Sequence, residues 1–166
     1  MAEPSYVALA DRIAEKAHQG QTDKNGVPYI EHPRAVARIV VDLVPPEDRW
    51  IAISAALLHD VLEDTDLTPS TLELAGVPLE VIEIVKDVTK KPHEETAVYL
   101  ARVMGGHRLS LAVKMADMTH NRDEERLMAL DVPTQERLRA KYSGQWGVLL
   151  AEMSRRQVSS WSEMDA

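Results

Sequence analysis

Cysteine is absent from this chain, phenylalanine is absent, and aromatic residues together make up only 4% of it. Without cysteine there is no disulfide, no thiolate nucleophile and no cysteine-type zinc site. Without phenylalanine, the core must be built from Leu, Val, Ile, Ala and Met. No apolar run approaches the ~20 residues that a membrane span requires, and the N-terminal Met1-Ala2-Glu3-Pro4-Ser5 lacks the pattern of a signal peptide. Basic charge is also short. Nineteen Lys and Arg stand against 27 Asp and Glu, a net charge of −8, which argues against a nucleic acid polymer as partner. A small phosphorylated ligand stays open, because a bound cation and a few local lysines can invert the field of one pocket. The expectation is a cytoplasmic enzyme or binding protein that makes no use of a membrane.

What is present reads as helix. Hydrophobic residues make up 45% and charged ones 28% of the 166 residues, an ordinary globular balance and enough chain for one domain with a sizeable core. Runs rich in Ala, Leu, Glu and Arg, with little strict alternation, predict an all-α fold of eight or nine helices. The spacing predicts helices over 4–19, 33–43 and 47–64, a short one from Pro69 ending at Gly76, one opened by Pro78 with Val81, Ile82, Ile84, Val85 and Val88 as its buried stripe, then 94–104, 109–121 and 133–156. Gly144 and Gly147 in the last helix suggest close packing of a neighbour. Residues 1–156 form the expected domain and 157–166 a polar tail.

The most informative stretch is Ala55-Ala56-Leu57-Leu58-His59-Asp60-Val61-Leu62-Glu63-Asp64-Thr65. An apolar helix runs into four ionisable groups, with His59 and Glu63 four apart and Asp60 and Asp64 four apart on neighbouring stripes. Buried charges are costly unless paired or metal-bound. The competing reading is a helix end fraying into solvent, but three acids near a C-terminus oppose the helix dipole. The window predicts a metal site.

Three other places supply partners. His32 precedes Pro33 at a helix start, where it either caps the helix or coordinates. Lys114, Asp117 and Asn121 share one stripe of a helix whose other residues are apolar, so the stripe is either a solvent face or the wall of a site. His120 lies between them, as a supporting partner or simply buried. His18 is expected to make a structural hydrogen bond. The break at Thr89-Lys90-Lys91-Pro92-His93 reads as a solvated loop, with the alternative that its basic charge meets an anion. His32, His59, Asp60 and Asp117 together make a mixed nitrogen and oxygen ligand set suited to Mn²⁺, Fe²⁺ or Zn²⁺.

The order His … His-Asp … Asp resembles the HD-domain metal-dependent phosphohydrolases. Three segments are similar to the hydrolase domains of the RelA/SpoT type: Ala17 to Thr22 continuing through Lys24, Asn25-Gly26 and Pro28 to Pro33; Ala56 to Thr65; and Val113 to Asp117 with His120-Asn121. With no room for further domains, the chain resembles the stand-alone small alarmone hydrolases. That resemblance implies Mn²⁺-dependent removal of the 3′-pyrophosphate from (p)ppGpp-type nucleotides. It implies that His32, His59, Asp60 and Asp117 hold the metal, and that Glu63 and Asp64 position and activate water. It also implies that Asn121 contacts the ribose, Lys24 lines the nucleotide pocket and Lys114 helps with phosphate charge.

One departure stands out. The family commonly carries an Arg before the Lys of the opening motif, packed on the guanine ring, and here that position is Asp23. A carboxylate supplies no guanidinium stacking and would repel a nearby phosphate, which leaves open an adenine alarmone, another 3′-pyrophosphorylated nucleotide or relaxed selectivity. The alternatives are another HD-type phosphohydrolase or phosphomonoesterase acting on a nucleotide, and a nucleotide-sensing binding module without turnover.

Overall fold

The computed structural model describes residues 2–164, with side chains described as far as Arg156. Among the described residues ten α-helical segments follow one another: α1 Ser5–Ala17, α2 Glu31–Val40, α3 Arg49–Leu58, α4 Val61–Asp64, α5 Pro69–Leu74, α6 Leu79–Val88, α7 Thr96–Gly105, α8 Ser110–Asn121, α9 Glu124–Met128 and α10 Val132–Met164. Two of these are little more than a turn, so the longer helices match the expected eight. Among the described residues the only extended pairing is one isolated bridge between Thr22 and Pro28, and no helix is long and apolar enough to cross a membrane. The polar tail expected at 157–166 lies outside the described side chains.

The local rules that start and stop these helices are visible. Thr68 and Thr71 cap α5 reciprocally, which satisfies two N–H groups that the helix cannot. Gly76 ends that turn at φ +93, a left-handed conformation that costs glycine nothing. Along α6, Val81, Ile82, Ile84, Val85 and Val88 are buried, each aliphatic side chain worth about 1.5–3 kcal/mol out of water.

Helix α8 is the axle. Its Ala112, Val113 and Ala116 belong to the larger core, built with α1, α2, α3 and α6. Leu111, Met115 and Met118, on its other side, join Tyr99, Leu100 and Val103 of α7 and Leu149 of α10 in a second core. A helix buried on two sides leaves only a narrow stripe for polar groups. That stripe carries Lys114, Asp117 and Asn121, and it faces the interior cleft between α2, α3 and α10.

Two expectations fail. The helix expected over 47–64 is interrupted after Leu58 by a turn at His59-Asp60, where Asp60 (φ −100, ψ −8) precedes α4. Neighbouring residues on a regular helix diverge by about 100° and do not face each other. The turn lets both side chains reach one point. Gly144 and Gly147 have nothing within 4 Å of where a Cβ would stand, so no neighbour packs against them. The close approach is at Gly106 instead, where a Cβ would collide with the carboxylate of Asp87.

Candidate metal centre

His59 is 4% exposed in its side chain, and its orientation is set from behind. Its Nδ1 lies 2.7 Å from the carbonyl of Ala56, so Nδ1–H donates there and Nε2 is left to face the cleft. That Nε2 has no hydrogen-bond partner. It sits 2.9 Å from Asp60 Oδ2 and 3.7 Å from Asp117 Oδ1. His32, in the first turn of α2 rather than at its cap, brings its Nε2 within 3.5 Å of Asp60 Oδ2 and 3.2 Å of Asp117 Oδ1. Ligand atoms of His32, His59 and Asp60 all lie within 4.8 Å of one another. Four acceptors from α2, the His59-Asp60 turn and α8 thus converge on one small volume.

Such a cluster has too much negative charge to stand without a cation. Burial alone would push the His59 pKa down, but the carboxylates of Asp60 and Asp117 hold it well above the ordinary value. Burial would raise Asp117, yet Lys114 and the two imidazoles hold it well below the usual carboxylate range. Without a metal, a proton on His59 is the smallest cation that relieves the crowding. A divalent ion with nitrogen and oxygen ligands fits the same place, and it would satisfy the otherwise unpartnered Nε2.

Around this centre the structure adds groups that the sequence assigned differently or not at all. Lys114 donates to Asp117 Oδ2 at 2.7 Å, and Asn121 Nδ2 to Asp117 Oδ1 at 2.5 Å. Both line the cleft, but their polar groups are turned on Asp117, where substrate contacts were expected. The hydroxyl of Tyr29 lies 2.6 Å from Asp60 Oδ2 and 3.3 Å from Asp64 Oδ2. Burial and these acids push its pKa far above the ordinary value, so it stays a donor. His120 contacts the rear of His32 through the two Nδ1 atoms at 2.7 Å, and burial beside Arg126 lowers its pKa to about 4. It is neutral near pH 7 and able to accept the Nδ1–H of His32. His18 is buried with Nδ1 2.8 Å from Gln21 Oε1, the structural hydrogen bond expected of it.

Glu63 and Asp64 border the same cavity, about 410 Å³ in volume. Glu63 Oε2 accepts the backbone N–H of Lys90 at 2.8 Å. Desolvation, followed for each by the neighbouring Asp60, raises both carboxyl pKa values. Lys24, Lys90 and Lys141 are further lining residues, and burial beside the other lysines lowers the pKa of Lys141. The loop at 89–93 is therefore not merely solvated. Lys90 belongs to the loop whose basic charge was the alternative reading, whereas Lys141 and Arg126 were missed because each is a surface-type residue in sequence, and only the folded chain shows them facing one cavity. Asp23 was expected to repel phosphate. Its charge is instead matched by Arg126, with Nη2 to Oδ2 at 3.1 Å.

Residues 10–102, more than half of the chain, match the family model described as HD domain. The chain belongs to the HD-domain family. HD domains bind divalent metals, and the His32, His59 and Asp60 cluster agrees with that property. The guanosine-3′,5′-bis(diphosphate) 3′-pyrophosphohydrolase of Vibrio cholerae is 42% identical over 92 residues, which cover 54% of this chain and 12% of that protein. The human enzyme of the same name is 37% identical over 116 residues, 68% of this chain and 64% of the relative. This HD domain thus spans less than a fifth of the length of its bacterial relatives from Vibrio cholerae and Haemophilus influenzae. The solved structure of a metazoan SpoT ortholog superposes with a TM-score of 0.67 at 21% identity, covering 95% of this chain and 98% of that one. At that identity the likeness speaks for the fold.

Proposed function

We propose that this HD domain is a metal-dependent phosphohydrolase that removes the 3′-pyrophosphate from guanosine or adenosine alarmones of the (p)ppGpp type, releasing pyrophosphate. The observation that carries the reading is the unpartnered His59 Nε2 facing Asp60 and Asp117. The names of the relatives supply the substrate class. His32, His59, Asp60 and Asp117 would hold the ion; their mixed imidazole and carboxylate set suits Mn²⁺, Fe²⁺ or Zn²⁺, and the resemblance to the RelA/SpoT-type hydrolases favours Mn²⁺. Such an ion supplies Lewis acidity toward a phosphoryl oxygen and lowers the pKa of water bound to it.

The protein's own groups do the rest. Glu63 and Asp64 stand one turn beyond the ligands with raised pKa values, the condition under which a carboxylate takes a proton from water most readily near neutral pH. The Tyr29 hydroxyl holds Asp60 through a hydrogen bond and so fixes the angle at which Asp60 meets the centre. Lys114 and Asn121 do the same for Asp117. Lys24, Lys90 and Lys141 line the cavity of an acidic protein, and their positive charge offers a place for the phosphate groups of a small nucleotide.

The test is incubation of the purified protein with ppGpp, ppApp and nucleoside monophosphates in the presence of Mn²⁺, with pyrophosphate and orthophosphate measured separately. Pyrophosphate from the 3′-pyrophosphorylated nucleotides supports the reading. Orthophosphate from the monophosphates alone would favour the phosphomonoesterase alternative. Tight ppGpp binding with no product over hours would favour a sensing module.

A further inference from the structure

Arg126 is the one guanidinium that lines the cavity, among the described residues, and it is held on every side. Its backbone N–H is capped by Asp123 Oδ1 at 3.0 Å, and its carbonyl accepts from Asn25 Nδ2 at 3.3 Å. Its Nη1 lies 3.1 Å from His120 Nδ1, the acceptor nitrogen of that ring. Its Nη2 pairs with Asp23 Oδ2, and the side chains of the two are 30% and 11% exposed. Asp23 is itself anchored, since its Oδ1 accepts the backbone N–H groups of Asn25 and Val27 at 2.9 and 3.0 Å. Arg126 therefore has little rotational freedom, and its charge is already matched.

The rest of the cavity divides by chemistry. Positive charge there is carried by lysines, and burial, followed by Lys114, Lys24 and Lys90, lowers the pKa of Lys141. That is where anionic phosphates are best accommodated. The lining near Arg126 includes Leu127 of α9, Leu130 of the link that follows it and Leu138 of α10. A neutralised, planar and immobilised guanidinium bordered by aliphatic side chains is a poor phosphate clamp. It is a good platform for a flat aromatic ring, since stacking on Arg needs a fixed plane and costs little desolvation.

We infer that Arg126 is the base-contacting residue of this cavity, stacking on the nucleobase, and that Asp23 is the positioning residue that holds its plane. This deepens the reading under "Proposed function", on which it rests for the substrate class. Stacking tolerates different bases, because each has a π-face, so guanine and adenine should be served alike.

The experiment is calorimetric binding in a Glu63→Gln background loaded with Mn²⁺, which suppresses turnover. The probes are guanosine 3′,5′-bisphosphate, adenosine 3′,5′-bisphosphate and ribose 3,5-bisphosphate, which lacks a base. The parent should bind both nucleotides at least roughly ten-fold more tightly than the ribose bisphosphate, the scale of one stacked base. Arg126→Ala should erase that ratio for both bases while leaving ribose bisphosphate affinity within about three-fold. Arg126→Lys should erase most of it, because charge survives and planarity does not. Asp23→Ala should lower the ratio too, and the double variant should be no worse than Arg126→Ala, the signature of one unit acting through another.

A structural collapse would weaken all three probes together and thereby overturn the assignment, as would an equal loss on ribose bisphosphate, which would make Arg126 a phosphate contact. A parent with no base-dependent affinity overturns it as well. None of the probes carries a 3′-pyrophosphate, so failure of pyrophosphate release would sink the proposed activity without deciding this result.

Discussion

Around Arg102 every buried charge meets its complement. The guanidinium donates to the carbonyls of Lys86, Asp87 and Thr89 and to both oxygens of Glu94. Those bonds tie the C-terminal end of α6 to α7, in the region where orphan carbonyls need donors. Where α2, the His59-Asp60 turn and α8 meet, the His59 and Asp60 cluster does the opposite. There, two carboxylates and two imidazole nitrogens face one another, and one nitrogen makes no hydrogen bond. Both regions bury charge. The first is closed by matched donors and acceptors and needs nothing from outside. The second has a surplus of acceptors, and a surplus of that kind is a request for a cation.

The largest expected effect comes from turning the second region into something like the first. Asp60→Asn keeps the volume and replaces one acceptor by a donor that can serve His59 Nε2. The metal-free protein should melt at the same temperature or higher, while the rise in Tm on adding Mn²⁺ should disappear and turnover should fall to background. Differential scanning calorimetry with and without the ion, beside a pyrophosphate assay, reads all three. A variant that keeps its metal-induced Tm rise would show that Asp60 is not a ligand.

Glu63→Ala leaves the acceptor cluster alone and removes the proton acceptor beside it. The metal-induced shift should persist, and kcat should drop by roughly 10²–10⁴, as for the loss of a general base. Full rate in this variant would remove Glu63 from the chemistry and leave Asp64 as the candidate.

Much of this comparison was legible before the fold. The His32, His59-Asp60 and Asp117 set could be read because each is an ionisable residue in an apolar context, and apolar periodicity placed the helices that carry them. The interruption at His59-Asp60 was not legible, since nothing in Leu58-His59-Asp60-Val61 breaks a helix by propensity. The convergence of side chains on one point is what accompanies that turn, and it is a tertiary fact. Lys114 and Asn121 were read as either a solvent face or the wall of a site, and that they line the cavity and turn toward Asp117 depends on distances no spacing rule supplies. Arg126 and α9 were invisible for a related reason. A five-residue helix has no periodicity to detect, and the partners of Arg126, Asp23 and His120, are remote or polar.

The matched region can be broken to test the other half of the contrast. Arg102→Ala should cost about 2–4 kcal/mol of stability through backbone carbonyls left without donors, read from urea unfolding. The kcat of the remaining folded protein should stay within about two-fold, because Arg102 touches nothing in the cluster. A comparable loss of kcat at unchanged stability would mean that the two regions are coupled.

The smallest effect is the most diagnostic of sign. Glu63 has a folded pKa above its ordinary value, principally from desolvation, so between those two values the folded state binds more proton than the unfolded one. Stability therefore falls as pH rises through that window, and above it Glu63 is a standing cost to the metal-free protein. Glu63→Gln removes the ionisation and keeps an acceptor for the Lys90 N–H. Its Tm in the absence of metal should exceed that of the parent by a small margin near neutral pH, and the margin should shrink as pH falls into the ordinary carboxylate range. A margin that grew on acidification would reverse the sign of the shift. It would then place Glu63 with the matched charges around Arg102 rather than with the acceptors that await a cation.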